Sequence, residues 1–301
     1  MLLAHVRRVP NQAVKRCAVL TSSNPRIGVA LGGGSARGLV HIPFVEAMDE
    51  LGLRPSVIAG TSIGSLIGSG WAAGLTGREI REHTVDVLGS MRAITSRLWN
   101  TRFKGFKQLV RTGISMQLDA EEVIDAFLPP GFPRTFEKLR TPLYVIATDF
   151  ASWHQVIYHS GPLKTAISGS IAIPSLFRPV RHEGRLLVDG GVANPLPLDV
   201  AAIDTDLLIG IDVNGDPTEI PPERLPSAIE VGLGSAQIMM HQLISHTIAA
   251  YPPDVYFRPH NKPFGAYEYW RVREIMEVGD ASKDRFKREV SAKVEAFIAG
   301  R

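Results

Sequence analysis

Cysteine is almost missing from this chain: Cys17 is the one copy in 301 residues, so no disulfide framework can form within it. A reducing cytoplasm is the compartment that fits. Long apolar runs are missing too. No stretch approaches 18 consecutive apolar residues, so a membrane-spanning helix is not expected. Arg7, Arg8, Lys15 and Arg16 are not followed by the apolar core that a secretory leader needs, and residues 1–25 read as a basic arm. Acidic residues are absent before Glu46 and again between Asp86 and Asp119. These two basic tracts face either solvent or an anionic partner, although the net charge is only +3. No module that reads nucleic acid accompanies them, and no internal repeat is present.

What remains is the composition of an enzyme-sized globular chain, 45% apolar and 21% charged, which is enough to bury a large core. Short apolar runs end on glycine and alternate with helical periodicity. RIGVAL, SVIAG, TPLYVIATDF, HQVIYHS, EGRLLVDGG and LLIGIDVN read as strands. Residues 39–51 carry Val40, Phe44, Ala47, Met48 and Leu51 at three- and four-residue spacing before Gly52, the pattern of a helix and its stop. Asp119 reads as the N-cap of AEEVIDAFL. Alternating strands and helices predict an α/β fold with a mostly parallel sheet. The expected division is a domain over 26–215, with a cap or insertion near 91–118, and a helical extension over 216–301 that begins with a proline-rich linker.

GTSIG, residues 60–64, places Ser62 between Gly60 and Gly64 after one strand and before a helix. A serine presented at such a corner is a candidate nucleophile, because the free amides and partial positive charge of the helix start face the charge that would develop there. GGGSARG, Gly32 to Gly38, also joins a strand to a helix. Its bare amides suit an oxyanion hole formed by Gly32, Gly33, Gly34 and Ser35, or a phosphate cradle. It matches neither a dinucleotide fingerprint nor a Walker loop.

The base is less obvious. His241, His246 and His260 come late enough in the chain for a Ser-His-Asp triad, yet none stands in a loop suited to one. Asp189 ends the apolar run RLLVD with Gly190 and Gly191 behind it, and it is the better candidate. Asp149 is a weaker one, and Asp199, Asp204 and Asp206 read as helix-end acids. An ordinary aspartate near 3.9 is a feeble base, so burial has to raise it.

GGGSARG, GTSIG and DGG, in this order and at these separations, resemble the three motifs of the patatin-like phospholipase family. SGSIAIPSLFRPV followed by GRLLVDGGVANPLPLDVA is similar to its bacterial members and to the esterase domain related to neuropathy target esterase. The resemblance covers about residues 26–215. It implies a three-layer α/β/α sandwich, hydrolysis of lipid acyl esters and a Ser62–Asp189 dyad. It also implies an oxyanion hole at Gly33, Gly34 and Ser35, with Arg37 anchoring the loop and Gly38, Gly60, Gly64, Gly190 and Gly191 in support. Many members have a fourth glycine where this chain has Ser35, so a positive φ there would strain it.

Trp99, Phe103 and Phe106 alternate with Arg102, Lys104 and Lys107, a pattern suited to peripheral contact with anionic lipid and equally to an ordinary packed cap. DVNGDPTE has Pro217 where a calcium loop needs glycine, and His241 and His246 lack zinc spacing. No metal and no cofactor are therefore expected. Three functions stay open from the residues: a serine lipid hydrolase using the dyad, a Ser-His-Asp carboxylesterase, and a lipid- or phosphate-binding regulator without turnover. The partner in the first case is a lipid or ester substrate, and nucleic acid is excluded.

Overall fold

Five-residue runs with no polar break, IGVAL, VIAGT and LLIGI, are buried at every position. Continuous burial is what strands covered on both faces require. A computed structural model of the chain describes residues 24–89, 117–215, 223–259, 264–265 and 268–300. These runs are β1 (Ile27–Leu31), β2 (Val57–Thr61) and β7 (Leu207–Ile211), and β3 is Leu143–Asp149. The shorter β4 (His154–Tyr158), β5 (Val180–His182), β6 (Arg185–Asp189) and β8 (Val255–Phe257) complete the sheet.

The strand order is β5-β6-β3-β2-β1-β7-β8, with β4 also paired to β3. The β1–β2, β1–β7, β2–β3 and β7–β8 pairs are parallel. β4 and β6 run antiparallel to β3, and β5 antiparallel to β6.

Helices cover both faces. They are α1 (His41–Glu50), α2 (Ile63–Ala72), α3 (Gly77–Leu88), α4 (Ala120–Phe127), α5 (Leu163–Ser170), the short α6 (Leu198–Ala201), α7 (Ala228–Ala250) and α8 (Val272–Ala299). Alternate strand residues enter different cores, as the two-residue period requires. Val29, Leu31, Ile58 and Ile209 join the larger core, whereas Ala30, Ala59, Ile146 and Leu208 meet Leu198, Val200 and Ile244 of α6 and α7. The molecule is an α/β sandwich around a mostly parallel sheet.

Local chemistry sets the helix ends. Thr76 with Glu79 and Ser227 with Glu230 form reciprocal capping boxes, and the Asp119 carboxylate accepts the amides of Glu121 and Glu122. The helix expected over 39–51 begins differently: a 3₁₀ turn, Ser35–Val40, precedes α1. The C-terminal helix shares the larger core. Phe286 of α8 packs on Phe44 and Phe257 with ring centroids 5.0 and 5.1 Å apart, and Lys283 and Arg81 both pair with Glu46.

Candidate active site

β2 ends at Thr61 and α2 begins at Ile63, which leaves Ser62 alone on the corner with φ 53° and ψ −125°. A non-glycine residue held there stores strain of roughly 1–3 kcal/mol and persists only where its surroundings fix it. The Ser62 amide donates to Ser170 Oγ at 2.8 Å, and Ser65 Oγ donates to the Ser62 carbonyl at 2.6 Å. Thr61 Oγ1 ties the preceding residue to the Asn194 carbonyl at 2.8 Å. The flanking glycines are steric necessities: a Cβ on Gly60 would lie 2.6 Å from the Gly64 carbonyl oxygen, and one on Gly64 would lie 2.2 Å from that of Leu31.

Strand register brings the carboxylate to the serine. β2 pairs Thr61 with Ile146, and β6 pairs Asp189 with Ala147, the next residue along β3. Because β4 occupies the other edge of β3 over residues 145–149, β2 and β6 share one edge and meet end to end. β6 runs against β3 and stops where β2 has turned away.

Ser62 Oγ donates to Asp189 Oδ2 at 2.5 Å, and Asp189 Oδ1 accepts the Gly191 amide at 2.7 Å. Both side chains belong to buried residues, Ser62 at 4% and Asp189 at 8% exposure. Burial pushes the Asp189 carboxyl up to about 6, against the pull of the Ser62 hydroxyl and the Gly191 amide. Gly190 passes so close to β3 that a Cβ would lie 2.2 Å from the Ile146 carbonyl oxygen.

The glycine loop lies against this pair: a Cβ on Gly33 would be 3.5 Å from that of Ser62. Not all of its amides are available. Gly32 donates to the Ile211 carbonyl at 3.0 Å and Gly33 to that of Pro195 at 2.9 Å. The expectation that these two amides face an oxyanion is corrected by those bonds, which spend them on the fold. Gly34 and Ser35 follow, and among the described residues their amides meet no backbone or side-chain acceptor. Ser35 adopts φ 54°, the conformation that strains a serine. Arg37 Nε approaches the Gly34 carbonyl at 3.4 Å and its guanidinium packs on Gly215, while Gly38 leaves no room for a Cβ beside Ile63.

His41, which the sequence reading passed over inside an apolar helix pattern, is fully buried beneath this loop. Its Nε2 bonds the Gly32 carbonyl at 2.8 Å. Burial pushes its imidazole down to about 4 despite that bond, so it is neutral at pH 7 and Nε2–H is the donor. Its place right after a glycine loop was the available signal.

The other candidates lie elsewhere. Asp149 closes a turn by accepting from Ser152 Oγ and the Ala151 amide, and the Ser152 bond in particular holds it below the usual carboxylate range. Asp199 accepts from Asn194 and Gln155, and Asp206 pairs with Arg26. His241 bonds the Gly215 carbonyl at 3.0 Å, and neither it nor His246 hydrogen-bonds Ser62 or Asp189. His260 lies outside the described residues, as do Trp99, Phe103, Phe106 and their basic neighbours in the expected cap. Asp212 of DVNG is turned inward, accepting from Tyr256 and the Asn214 amide. Among the described residues no cluster of metal-ligating side chains occurs and no helix is long and apolar enough to cross a membrane.

Ser62 opens into a cavity of about 350 Å³ walled by α2, α3, α4 and the loop after α5, with Ile67, Val87, Ile124, Phe127 and Leu176 among its residues. Its few polar members are Ser62, Ser69, His83, Thr84 and Tyr269. The arrangement is a buried hydroxyl on a strained corner, bonded to a carboxylate, on the wall of an apolar chamber.

Known proteins resemble this chain. The family model for patatin-like phospholipase matches residues 29–202, more than half the chain. Uncharacterized NTE family proteins of Mycobacterium tuberculosis and Mycobacterium bovis are 35% identical over 206 residues, covering 67% of this chain and 52% of theirs. Lysophospholipase NTE1 of Pyricularia oryzae is 24% identical over 281 residues, covering 84% of this chain and 18% of its own. The ExoU–SpcU complex of Pseudomonas aeruginosa superposes with a TM-score of 0.45 at 14% identity, over 90% of this chain and 52% of that one. The chain thus spans about half the length of the mycobacterial relatives it matches. On the family match and the mycobacterial identity, this chain belongs to the patatin-like phospholipase family.

Proposed function

We propose that the chain hydrolyses acyl esters of lipids through a Ser62–Asp189 dyad. The observation that carries this reading is the 2.5 Å bond from Ser62 Oγ to Asp189 Oδ2, with Ser62 on the wall of an apolar cavity. In the reaction Ser62 Oγ attacks the ester carbonyl carbon while its proton passes to Asp189 Oδ2. The carbonyl oxygen becomes an oxyanion facing the amides of Gly34 and Ser35. The intermediate collapses, the C–O bond to the alcohol breaks, and the alcohol leaves with the proton from Asp189. Water then attacks the acyl-serine, gives its proton to Asp189, and the acid departs as Oγ recovers that proton.

A carboxyl near 6 suits this role better than one near 3.8, because a base works best with a pKa close to the working pH. Its remaining weakness falls on the oxyanion donors, worth roughly 3 kcal/mol each in other hydrolases. Among the described residues no histidine stands between serine and carboxylate, which bond directly, and this favours the dyad over the triad.

The cavity also bears on substrate. At ~30 Å³ per water-sized group, 350 Å³ holds roughly a dozen methylenes, room for one acyl chain. A lipid with a single chain, such as a lysophospholipid, is the substrate class this supports. The name of the Pyricularia oryzae relative agrees with it. The test is release of fatty acid from lysophosphatidylcholine micelles by the wild-type chain and by Ser62→Ala. Turnover abolished in the variant is the expected result. Equal release from both would remove Ser62 from the reaction.

A further inference from the structure

Ser35 is in the left-handed region that glycine tolerates and serine does not, so something has to hold it there. Its Oγ lies 2.9 Å from the hydroxyl of Tyr269, a residue 234 positions away and outside the span 29–202 that the family model matches. Tyr269 also lines the cavity that contains Ser62. One side chain thus touches both the glycine loop and the chamber in front of the nucleophile.

The turn that carries Tyr269 is firmly built. Glu268 accepts the Gly265 amide at 2.9 Å and Arg271 Nη1 at 3.0 Å, and Arg271 Nη2 reaches Glu274 at 2.6 Å. The Arg271 guanidinium lies 4.7 Å above the Phe264 ring. Immediately afterwards α8 buries Val272, Ile275 and Met276 completely, and a Cβ on Gly279 would lie 2.6 Å from Pro43. The helix that anchors Tyr269 is therefore seated on the start of α1, directly behind the glycine loop.

We propose that Tyr269 is a positioning residue for the oxyanion hole: its hydroxyl bond to Ser35 Oγ holds residue 35 in the left-handed conformation that aims the Ser35 amide at the reacting carbonyl. The proposal rests on the hydrolase reading above and adds to it that the C-terminal segment completes the catalytic loop. A glycine at position 35 adopts the same conformation without help, so the need for Tyr269 exists only because residue 35 is serine.

The test is a double-mutant cycle on a p-nitrophenyl ester, with kcat and KM measured for the wild type, Tyr269→Phe, Ser35→Gly, the double variant and Ser62→Ala. Phenylalanine keeps the ring on the cavity wall, and circular dichroism verifies the fold. Tyr269→Phe lowers kcat on the order of tenfold, less than outright loss of an oxyanion donor, and leaves KM within about twofold. In the Ser35→Gly background the same change moves kcat by less than about twofold. Equal losses in both backgrounds, a change confined to KM, or no loss in the wild-type background would each overturn the proposal. So would a folded Ser35→Gly variant with no turnover, since the serine side chain would then do more than need support. Full activity in Ser62→Ala removes the hydrolase reading and this proposal together, whereas an inactive Ser62→Ala beside an unaffected Tyr269→Phe removes only the latter.

Discussion

Asp189→Asn separates the stability of the site from its chemistry, because the carboxylate is held where a charge is costly. Burial raises its carboxyl from 3.8 to about 6, a shift of about 2 units or about 3 kcal/mol at 1.36 kcal/mol per unit. With the folded value above the unfolded one, the native state binds the extra proton between these two values, so stability falls as pH rises through that window. The contribution is fully present below about pH 4, is lost by about pH 6 to 7, and is constant beyond. Asparagine has the same shape and does not ionise. Its Oδ1 can keep the Gly191 amide bond and its Nδ2 can donate to Ser62 Oγ, at the cost of a new acceptor for the serine proton. Urea unfolding of both proteins at pH 4, 5, 6 and 8 measures the effect. The difference should grow in favour of the variant from pH 4 to 6 and level off at about 1–3 kcal/mol, while ester turnover falls by at least about a thousandfold. A variant less stable at pH 8, or a difference independent of pH, would refute the reasoning that burial is what tunes this carboxylate.

The acyl chamber predicts a chain-length profile. kcat/KM should rise about fourfold per methylene, from ~0.8 kcal/mol each, and flatten near roughly a dozen carbons, and Leu66→Trp on the cavity wall should shorten the optimum; a profile flat from four to sixteen carbons would contradict the assignment. Ser170→Ala removes the acceptor of the Ser62 amide at 2.8 Å, so it should cost about 1–3 kcal/mol in urea unfolding and lower kcat more than it raises KM. Phe286→Ala opens the centre of the Phe44–Phe257–Phe286 cluster and should cost about 3–5 kcal/mol by the same measurement, with the ester KM unchanged under conditions where the protein stays folded.

The Ser62 corner was legible because its requirements are local: only glycine fits at positions 60 and 64 around so tight a turn, and that leaves a mark in the sequence. Asp189 was legible for a similar reason, having two glycines behind it at a strand end. The direction of β6 was not, since a short apolar run such as Leu186 to Val188 looks the same whether the strand runs with or against its neighbour. Only pairing with β3 decides it. The amides of Gly32 and Gly33 were misread for the same kind of reason, as their acceptors at Ile211 and Pro195 lie more than 160 residues away. His41 carried a weak local signal, a polar residue on the buried side of a helix start. Tyr269 carried none, because its contact with Ser35 is made by the packing of the last helix. The dependence of Ser35 on support could be anticipated from its replacement of a glycine, whereas the residue that supplies it could not.

The central claim is that Asp189 activates Ser62. It is tested most directly by labelling with a fluorophosphonate, reading the adduct by mass on the peptide that contains Ser62 and following its rate from pH 4 to 8. The account predicts one adduct, at Ser62, formed at a rate that climbs through about pH 6 and levels off, and almost none in Asp189→Asn. Labelling at another residue, or an undiminished rate in Asp189→Asn, would contradict it.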